Sequence, residues 1–418
     1  MRNTNKKGFT IVELVIVIAV IAILSAVLIP TFAGIIDRAN QSADQQAVAN
    51  MNKLLATIVD EKAENADEVV EILIANGYNG DLSTYFKDYS LAWLKAENTI
   101  VLVQANEVVF PKQHAGLTSG FEVIKPIADK VTDGSALVGG LEDGKVVFVG
   151  GDITVEDGLS TEAAGEYAVN LGGNTINASN IVGSWVDDAK LVVSNGIIDG
   201  TGITDDDVVV YASRGGELEL NNVQVYAPAG YNPIQCYGGT LVLNNVTTAQ
   251  SGEAHASWYN SAIQVINTIK QVEQEDGTMK WTIYGEQAHT IINGGMYTGD
   301  KAVQISAPGA NVTINGGTLV GTRYVIQGDF APQNYAVEDP TKTYESVITI
   351  NGGSLNGNIK ISKATELVIN GGTFSGDTIT YFDTATNKNV TVELTAENLA
   401  QFVTAGSTVV VNGTSFTK

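Results

Sequence analysis

The sequence predicts a long N-terminal α-helix, then a small α+β cap, then an all-β parallel β-helix. Three observations support this prediction: an apolar run from Phe9 to Ile29, a helical stripe of apolar residues after it, and an Asn-Gly-Gly phrase that recurs beyond about Gly144. The expected segments are a basic leader at residues 1–8, the helix at 9–62, the cap at 63–125 and the β-helix at 126–418.

The apolar run from Phe9 to Ile29 is interrupted only by Thr10, Glu13 and Ser25. A helix of about 20 apolar residues spans the hydrocarbon core of a bilayer. An ordinary secretory signal has a shorter apolar core and a small-residue cleavage site, whereas here helix-forming residues continue past Ser25. The run therefore predicts a single membrane-spanning helix that is retained in the mature protein.

The order of features at the start of this run is specific. A basic segment ends in Gly8, Phe9 follows at once, and the first acidic residue inside the run is Glu13. This segment resembles the N-terminus of the type IV prepilin and pseudopilin family. The resemblance implies that a prepilin peptidase cuts between Gly8 and Phe9 and that Phe9 becomes N-methylated. It also places the family's filament-assembly glutamate at Glu13 and its helix-bending proline at Pro30.

The positions of Glu13 and Pro30 also have physical explanations that do not depend on the resemblance. A carboxylate inside a bilayer costs several kcal/mol unless it is paired, and in a filament the partner of Glu13 would be the terminal amine of Phe9 on a neighbouring subunit. The alternative is that Glu13 snorkels to the lipid headgroups. Pro30 lacks an amide hydrogen, so it should kink the helix near the membrane exit.

Beyond Pro30 the apolar residues narrow to a stripe with spacings of three and four, which predicts an amphipathic helix to about residue 61. The stripe comprises Phe32, Ile35, Ile36, Ala39, Ala43, Ala47, Met51, Leu54, Leu55 and Ile58. A head domain is expected to pack on the outer half of this helix.

The cap is predicted from a short helical segment, Asp67–Ala75, and a hairpin that turns at Ala105-Asn106. Its aromatic residues are interpreted as core residues rather than as a ligand cage. They are Tyr85, Tyr89 and Trp93.

The Asn-Gly-Gly phrase follows an alternating apolar strand each time it occurs. Its clearest copies begin at Asn293, Asn315, Asn351 and Asn370, with spacings of 22, 36 and 19 residues, and looser copies lie at Asn195, Asn221, Asn244 and Asn412. A unit of about 20 to 25 residues is the length of one β-helix coil, and the longer gaps leave room for loops. The asparagines and glycines are expected to supply positive φ at a sharp bend, and stacked asparagines to hydrogen-bond along a ladder.

Within each coil, alternation predicts which residues face the core. In Val312-Thr313-Ile314 the two aliphatic residues should point inward and Thr313 outward. The opening coils, at residues 145–154 and 169–176, resemble the pectate-lyase-like superfamily, and this resemblance implies a right-handed β-helix. That superfamily includes lyases, hydrolases and non-catalytic surface domains, so the fold alone does not decide the function.

Composition excludes several classes of partner. The formal net charge is −23, and such an acidic surface repels phosphate backbones and anionic lipid, so no nucleic-acid partner is expected. Cys236 is the only cysteine, which excludes an intrachain disulfide and a multi-cysteine metal site, and it is expected to pack as a buried small apolar residue. We expect no cofactor and no metal.

Residue patterns for catalysis are weak. Asp205-Asp206-Asp207 followed by Arg214 is the nearest candidate for a calcium-dependent lyase, but a solvated acidic turn is the commoner explanation. The superfamily's glycosidase signatures are absent. The histidines, which have no metal-ligand spacing, are His114, His255 and His289. We expect the protein not to be an enzyme.

Aromatic residues on two long insertions are candidate carbohydrate contacts. The first insertion, Gly252–Tyr284, carries Trp258, Tyr259, Trp281 and Tyr284, and the second, Phe330–Tyr344, carries Tyr335. The alternative is that these rings cover the hydrophobic flank of the coils.

Together these features predict a minor pilin or pilus-like surface protein with an adhesive head. Its expected partners are prepilin peptidase, other pilin subunits, the assembly machinery, the membrane through one helix, and a surface glycan. It would lie in the bacterial cytoplasmic membrane with the head outside, and at the cell surface or in a pilus after assembly. The alternatives are a pseudopilin of a type II secretion or DNA-uptake machine, and a membrane-tethered polysaccharide lyase.

Overall fold

The structure is a computed structural model. It describes residues 18, 20, 41–58, 63, 65–75, 89–124, 127–142, 144–204, 208–250, 260–274, 277–330, 334–338, 341 and 344–418. The chain divides into two compact units, Met1–Lys125 and Pro126–Lys418. The expected leader, most of the membrane helix, Glu13 and Pro30 lie outside the described residues; Ile18 and Val20 are helical.

The first unit contains two described helices and a small antiparallel sheet. The elements are helix α1 (41–55), helix α2 (Ala66–Ala75), and strands β1 (Ser90–Leu94), β2 (Thr99–Gln104), β3 (Glu107–Phe110) and β4 (Glu122–Val123), in the sheet order β3-β2-β1-β4. The hairpin β2–β3 turns at Ala105 and Asn106, where φ is 50° and 63°. How this unit lies on the full length of the expected helix stays a prediction.

The helix α1 packs on the sheet through a mostly apolar face. Met51 and Val48 are fully buried, and the Asn52 side chain bonds both backbone groups of Ile100 in β2, at 2.8 and 2.7 Å. The expectation that Ala43 belongs to this face was wrong: Ala43 is exposed, and its neighbour Asp44 is buried instead. Because alanine is small and only weakly apolar, the spacing of the alanines did not define the buried face of the helix exactly. In the structure the buried position is one residue further along the chain than predicted.

Aromatic residues of this unit serve packing. Trp93 is 2% exposed and donates from Nε1 to Asn98 Oδ1 at 3.0 Å, which confirms the core interpretation for this residue. The Tyr89 hydroxyl accepts a hydrogen bond from Gln41 in α1 at 2.9 Å. Tyr85 lies outside the described residues.

The second unit is built almost entirely of strands, with two short helices, α3 (Gly134–Gly139) and α4 (Ala396–Leu399). The strands are β5 (Ile127–Val131), β6 (Lys145–Val149), β7 (Ile153–Val155), β8 (Leu159–Ser160), β9 (Gly165–Asn170), β10 (Thr175–Ala178), β11 (Val182–Ser184), β12 (Ala189–Asp199), β13 (Val208–Ser213), β14 (Glu217–Ala227), β15 (Asn232–Tyr237), β16 (Thr240–Asn244), β17 (Val246–Gln250), β18 (Ser261–Ile266), β19 (Ile269–Glu273), β20 (Met279–Ile283), β21 (His289–Ile292), β22 (Gly295–Ile305), β23 (Asn311–Ile314), β24 (Thr318–Gly328), β25 (Tyr335–Val337), β26 (Ser346–Ile350), β27 (Ser354–Ile361), β28 (Thr365–Ile369), β29 (Thr373–Ser375), β30 (Thr378–Asp383), β31 (Lys388–Glu393), β32 (Thr408–Val411) and β33 (Thr414–Thr417).

Parallel pairing between successive coils arranges these strands in three faces. Face 1 runs β6-β9-β12-β14-β16-β21-β23-β26-β28. Face 2 runs β7-β10-β12-β14-β17-β22-β24-β27-β29-β32. Face 3 runs β8-β11-β13-β15-β18-β22-β24-β27-β30. Three parallel ladders that share long strands are the arrangement expected of a parallel β-helix.

The interior is a continuous stack of mostly aliphatic side chains, with the fully buried rings of Tyr297 and Phe374 among them. In β23, Val312 is 1% exposed and Ile314 fully buried, whereas Thr313 is only half-buried, which confirms the predicted alternation. Ile314 lies in register between Ile292 and Ile350, one coil on each side. No single coil could bury such a row alone, so each coil depends on its neighbours.

The bend between faces 1 and 2 carries the predicted asparagine ladder. Side-chain amides donate from each coil to the previous one at 2.6 to 2.8 Å, through Asn370, Asn351, Asn315, Asn293, Asn244 and Asn221. The expected source of positive φ needs a correction. In the Asn-Gly-Gly coils the second glycine adopts it, as at Gly295 with φ 103°, whereas in the looser copies Asn195 and Asn412 adopt it themselves, with φ 58° and 47°.

Both ends of the β-helix are covered by elements that the repeat did not predict. At the start, α3 places the fully buried Leu137 in the core. At the end, the antiparallel hairpins β30–β31 and β32–β33 and the helix α4, with Leu399 buried, close the last coils. Such covers hide the apolar interior and unpaired backbone groups that the terminal coils would expose.

Candidate functional site

The two long insertions meet in a small three-stranded sheet, here called the lateral sheet, made of β19, β20 and β25. The first insertion folds back as the antiparallel hairpin β19–β20, and β25 of the second pairs in parallel with β20. Trp281 thereby lies directly beside Tyr335, although the two come from different insertions. Sequence reasoning treated the insertions separately, and only the structure brings them together.

One side of the lateral sheet exposes apolar side chains. Trp281 is 41% exposed, and Met279 and Val337, which point to the same side, are 57% and 40% exposed. Tyr335 anchors this side to the coils, because its hydroxyl donates to the Ser306 carbonyl at 2.8 Å and its ring packs edge-on against Phe330. A flat indole held on a fixed base is a suitable stacking surface for a sugar ring.

The other aromatic candidates have different surroundings. The Tyr284 ring is covered by the Lys270 ammonium, 4.5 Å from its centroid, and Lys270 is paired with Glu338 at 2.7 Å. Trp258 and Tyr259 lie outside the described residues. Two of the four predicted carbohydrate contacts are therefore among the described residues. Trp281 has an exposed ring, whereas one face of the Tyr284 ring is covered by Lys270.

Face 3 carries a row of glutamines that the sequence reasoning missed. Gln235, Gln264, Gln304 and Gln327 stand in register on successive coils. Their sequence signal is a recurring aliphatic-Gln pair, as in Ile234-Gln235, which the more conspicuous Asn-Gly-Gly phrase obscured. A parallel ladder places these equivalent positions side by side.

The middle of this glutamine row is buried and internally bonded. Gln264 is 1% exposed; its Oε1 accepts from Asn232 at 3.0 Å and its Nε2 donates to Ser306 at 3.0 Å. Ser261 donates to Gln304, which is 2% exposed. Gln327 Oε1 is buried without a hydrogen-bond partner among the described residues. These central amides are buried and hydrogen-bonded to neighbouring coils, and they help to fix the register between those coils.

A charged cluster borders the same face. Asp300 accepts from Arg323 Nε at 3.1 Å, and its Oδ2 lies 3.8 Å from Lys301 Nζ. Lys301 is 3% exposed, and burial together with the nearby Arg323 charge lowers its pKa despite the opposing effect of Asp300. The Tyr324 ring has Arg323 and Lys360 each 5.9 Å from its centroid. Arg323 remains 45% exposed, so its guanidinium can contact an approaching anionic or hydroxyl group.

The residues considered for catalysis are not gathered in the described structure. Asp205-Asp206-Asp207 lies outside the described residues, and Arg214 occupies a tight turn with φ 50°. In the part of the chain that the structure describes, no group of three or more His, Cys, Asp or Glu side chains is placed to hold a metal ion. Cys236 is fully buried, which raises the pKa of its thiol to about 11, and the prediction that it packs as a buried small residue is confirmed.

Comparison with known proteins adds information at the N-terminus. Residues 3–29 match the family described as the prokaryotic N-terminal methylation motif. The matched segment includes Gly8, Phe9 and Glu13, so residues 3–29 carry the N-terminal motif of type IV pilin-like precursors. No curated protein and no solved structure gives a significant match to the chain.

Among the residues that the structure describes, no helix is both long enough and apolar enough to span a membrane.

Proposed function

We propose that this protein is a minor pilin-like surface protein, cleaved by prepilin peptidase between Gly8 and Phe9, methylated at Phe9 and assembled into a filament. The match of residues 3–29 to the N-terminal methylation motif is the observation that carries this proposal. The helix that follows Phe9 would anchor the precursor in the bacterial cytoplasmic membrane with the head outside. After assembly, the head would be displayed on the pilus or cell surface.

Glu13 and Pro30 have assembly roles in this proposal. The Glu13 carboxylate would pair with the Phe9 amine of a neighbouring subunit, because an unpaired charge at that depth costs several kcal/mol. Pro30 would bend the helix where it leaves the membrane. Other pilin subunits and the pilus assembly machinery are the partners that such a helix requires.

The head is proposed to act by adhesion to a surface glycan and not by catalysis. The exposed indole of Trp281, anchored beside Tyr335, supports this idea, as does the charged cluster along face 3. A β-helix stiffened by an asparagine ladder would present these groups at little entropic cost on binding. We also propose that the coil is right-handed, as parallel crossovers almost always are, and akin to the pectate-lyase-like superfamily.

The assembly proposal is tested with Glu13→Ala. We expect the variant to be processed normally but to be missing from filaments, because the change removes the partner of the terminal amine and leaves the apolar helix intact. Mass spectrometry should find N-methylated Phe9 as the first residue in both wild type and variant, and sheared filament fractions should contain only the wild type. A different mature N-terminus, or normal incorporation of the variant, would contradict the proposal.

The glycan proposal is tested with Trp281→Ala. We expect binding of the full-length protein to an array of immobilised oligosaccharides to weaken at least tenfold, because stacking on the indole is lost. Lys280→Ala, the exposed neighbour that points to the other side of β20, serves as the matched control and should bind as wild type does. Equal binding by both variants would remove Trp281 from the site.

A further inference from the structure

Strand β19 forms an edge of the lateral sheet. The sheet order is β19-β20-β25, and among the described residues β19 pairs with β20 alone. Two backbone hydrogen bonds that flank the strand show which of its groups face β20. Tyr284 N–H donates to the Thr268 carbonyl at 3.0 Å, and Gln274 N–H donates to the Thr278 carbonyl at 2.7 Å. Because backbone direction alternates along an antiparallel strand, the even-numbered residues of β19 bond to β20 and the odd-numbered residues direct their N–H and C=O groups away from it.

The first of these outward-directed residues is bonded by the β-helix itself. Ile269 N–H donates to the Tyr237 hydroxyl at 3.0 Å, and that hydroxyl donates to the Ile269 carbonyl at 2.6 Å. The next two are Gln271 and Glu273, whose side chains are exposed. Their backbone N–H and C=O groups have no hydrogen-bond partner among the residues that the structure describes. The edge of β19 is therefore open at two consecutive outward-directed positions.

The spacing of these open groups determines what kind of backbone fits them. One N–H and one C=O recur at every second residue of an antiparallel edge, about 6.8 Å apart along the strand. An extended peptide carries complementary donors and acceptors at the same spacing, and this match is the basis of strand addition at exposed sheet edges. The geometry of the edge of β19 thus favours an extended polypeptide segment as its partner.

Charge indicates which polypeptide segment fits. Glu273 is exposed on the edge, whereas Lys270, the basic residue of β19, is paired with Glu338 at 2.7 Å on the opposite side of the sheet. The chain as a whole has a net charge of −23, so a second copy would approach against electrostatic repulsion. A basic side chain directly across from Glu273 would instead form a favourable cross-strand pair. A basic partner is therefore favoured over a second copy of this chain.

We infer that the edge of β19 is a docking site for an extended segment of a partner protein in which basic and β-branched residues alternate. The segment adds to the lateral sheet as a fourth strand, through backbone hydrogen bonds to Gln271 and Glu273 and a basic side chain beside the Glu273 carboxylate. β-Branched residues suit the intervening positions because they favour the extended conformation. The inference goes beyond the proposed function, since it concerns a protein partner and uses neither the N-terminal motif nor the Trp281 ring.

The probe is a fluorescein-labelled heptapeptide of alternating lysine and valine, titrated with the purified full-length protein in detergent and followed by fluorescence anisotropy. We expect saturable binding. The same peptide with every backbone nitrogen methylated keeps all side chains and charges but has no N–H donors, so it should bind at least tenfold more weakly. A peptide of alternating glutamate and valine should not bind, because its carboxylates would face Glu273.

Protein variants test the same edge from the other side. Gln271→Pro removes the outward N–H without breaking a bond to β20, and proline is tolerated at an edge where its nitrogen faces solvent. We expect it to weaken binding of the lysine–valine peptide at least tenfold. Gln271→Ala, which keeps the N–H, is the matched control and should stay within twofold of wild type. Glu273→Lys should weaken binding at least threefold, and circular dichroism melts should show all three variants folded.

Four results would overturn the inference. They are absence of binding by the lysine–valine peptide, equal binding by its N-methylated form, equal binding by Gln271→Pro and Gln271→Ala, and self-association in sedimentation velocity that Gln271→Pro abolishes. The last result would assign the edge to a second copy of the chain. The peptide comparison does not depend on any protein variant, so a misfolded proline variant does not decide the outcome. The glycan and assembly proposals have separate tests, and their success or failure is recognised independently.

Discussion

Ile314→Asp is expected to destabilise the second unit by at least about 4 kcal/mol. Ile314 is fully buried between Ile292 and Ile350 of the neighbouring coils, and no basic side chain belongs to that inward row. The substitution removes a buried aliphatic group, worth about 2 to 3 kcal/mol, and places a carboxyl group in an apolar interior. Denaturant unfolding followed by the β-sheet circular dichroism signal measures the change in free energy of unfolding.

The neighbouring substitution Thr313→Asp is the matched control for Ile314→Asp. Thr313 is only half-buried on face 1, so its carboxylate keeps contact with water and the cost should be about 0.5 kcal/mol or less. Equal unfolding midpoints for the two variants would show that the inward and outward assignment of β23 is wrong. The register of the coils in face 1 would then be wrong as well.

Gly295→Ala is expected to cost about 3 kcal/mol or more. Gly295 has φ 103°, a conformation that residues with a side chain rarely adopt, and an added Cβ would lie 2.0 Å from the Val246 carbonyl oxygen of the preceding coil. Strands β17 and β22 pair at this point, so the backbone cannot yield without breaking the ladder. Thermal or denaturant unfolding of the full-length protein measures the loss.

The adjacent glycine provides the control for Gly295→Ala. At Gly294 an added Cβ would meet its nearest atom, the Asn245 backbone nitrogen, at 3.7 Å, which is ordinary van der Waals contact, and φ is not in the positive range. Gly294→Ala should therefore change stability by only about 0.5 kcal/mol. If both alanine variants were equally tolerated, the bend geometry described for the Asn-Gly-Gly coils would be incorrect.

The bend between faces 1 and 2 shows which structural features a sequence pattern can predict and which it cannot. The recurring asparagine predicted a stacked amide ladder, and Asn293, Asn315 and Asn351 form it. The pattern did not show which residue carries positive φ. In coils without the double glycine a second asparagine does so, as at Asn245 with φ 54°, and it also bonds Asn222 at 2.9 Å. Both residue types tolerate that conformation, so composition alone could not choose between them.

At the candidate site, in contrast, most of the contacts could not be predicted from the sequence. Trp281 was identified because an aromatic ring stood on an insertion, but its neighbour Tyr335 comes from a different insertion and a different coil. The glutamine row joins residues such as Gln235 and Gln264, which are 29 positions apart. Neither contact follows from local periodicity, since insertions of unequal length separate the equivalent positions.

The sequence by itself determined the N-terminal processing motif, the existence of a stacked coil and the direction in which Val312, Thr313 and Ile314 point. Each of these depends on residues close together in the chain, through a short contiguous motif or a period of two. The tertiary structure decided the union of the two insertions in the lateral sheet, the burial of Lys301 and the glutamine row of face 3. Those features depend on register between coils whose ladder asparagines are 19 to 49 residues apart, and the packing of the interior together with the buried amide hydrogen bonds fixes that register.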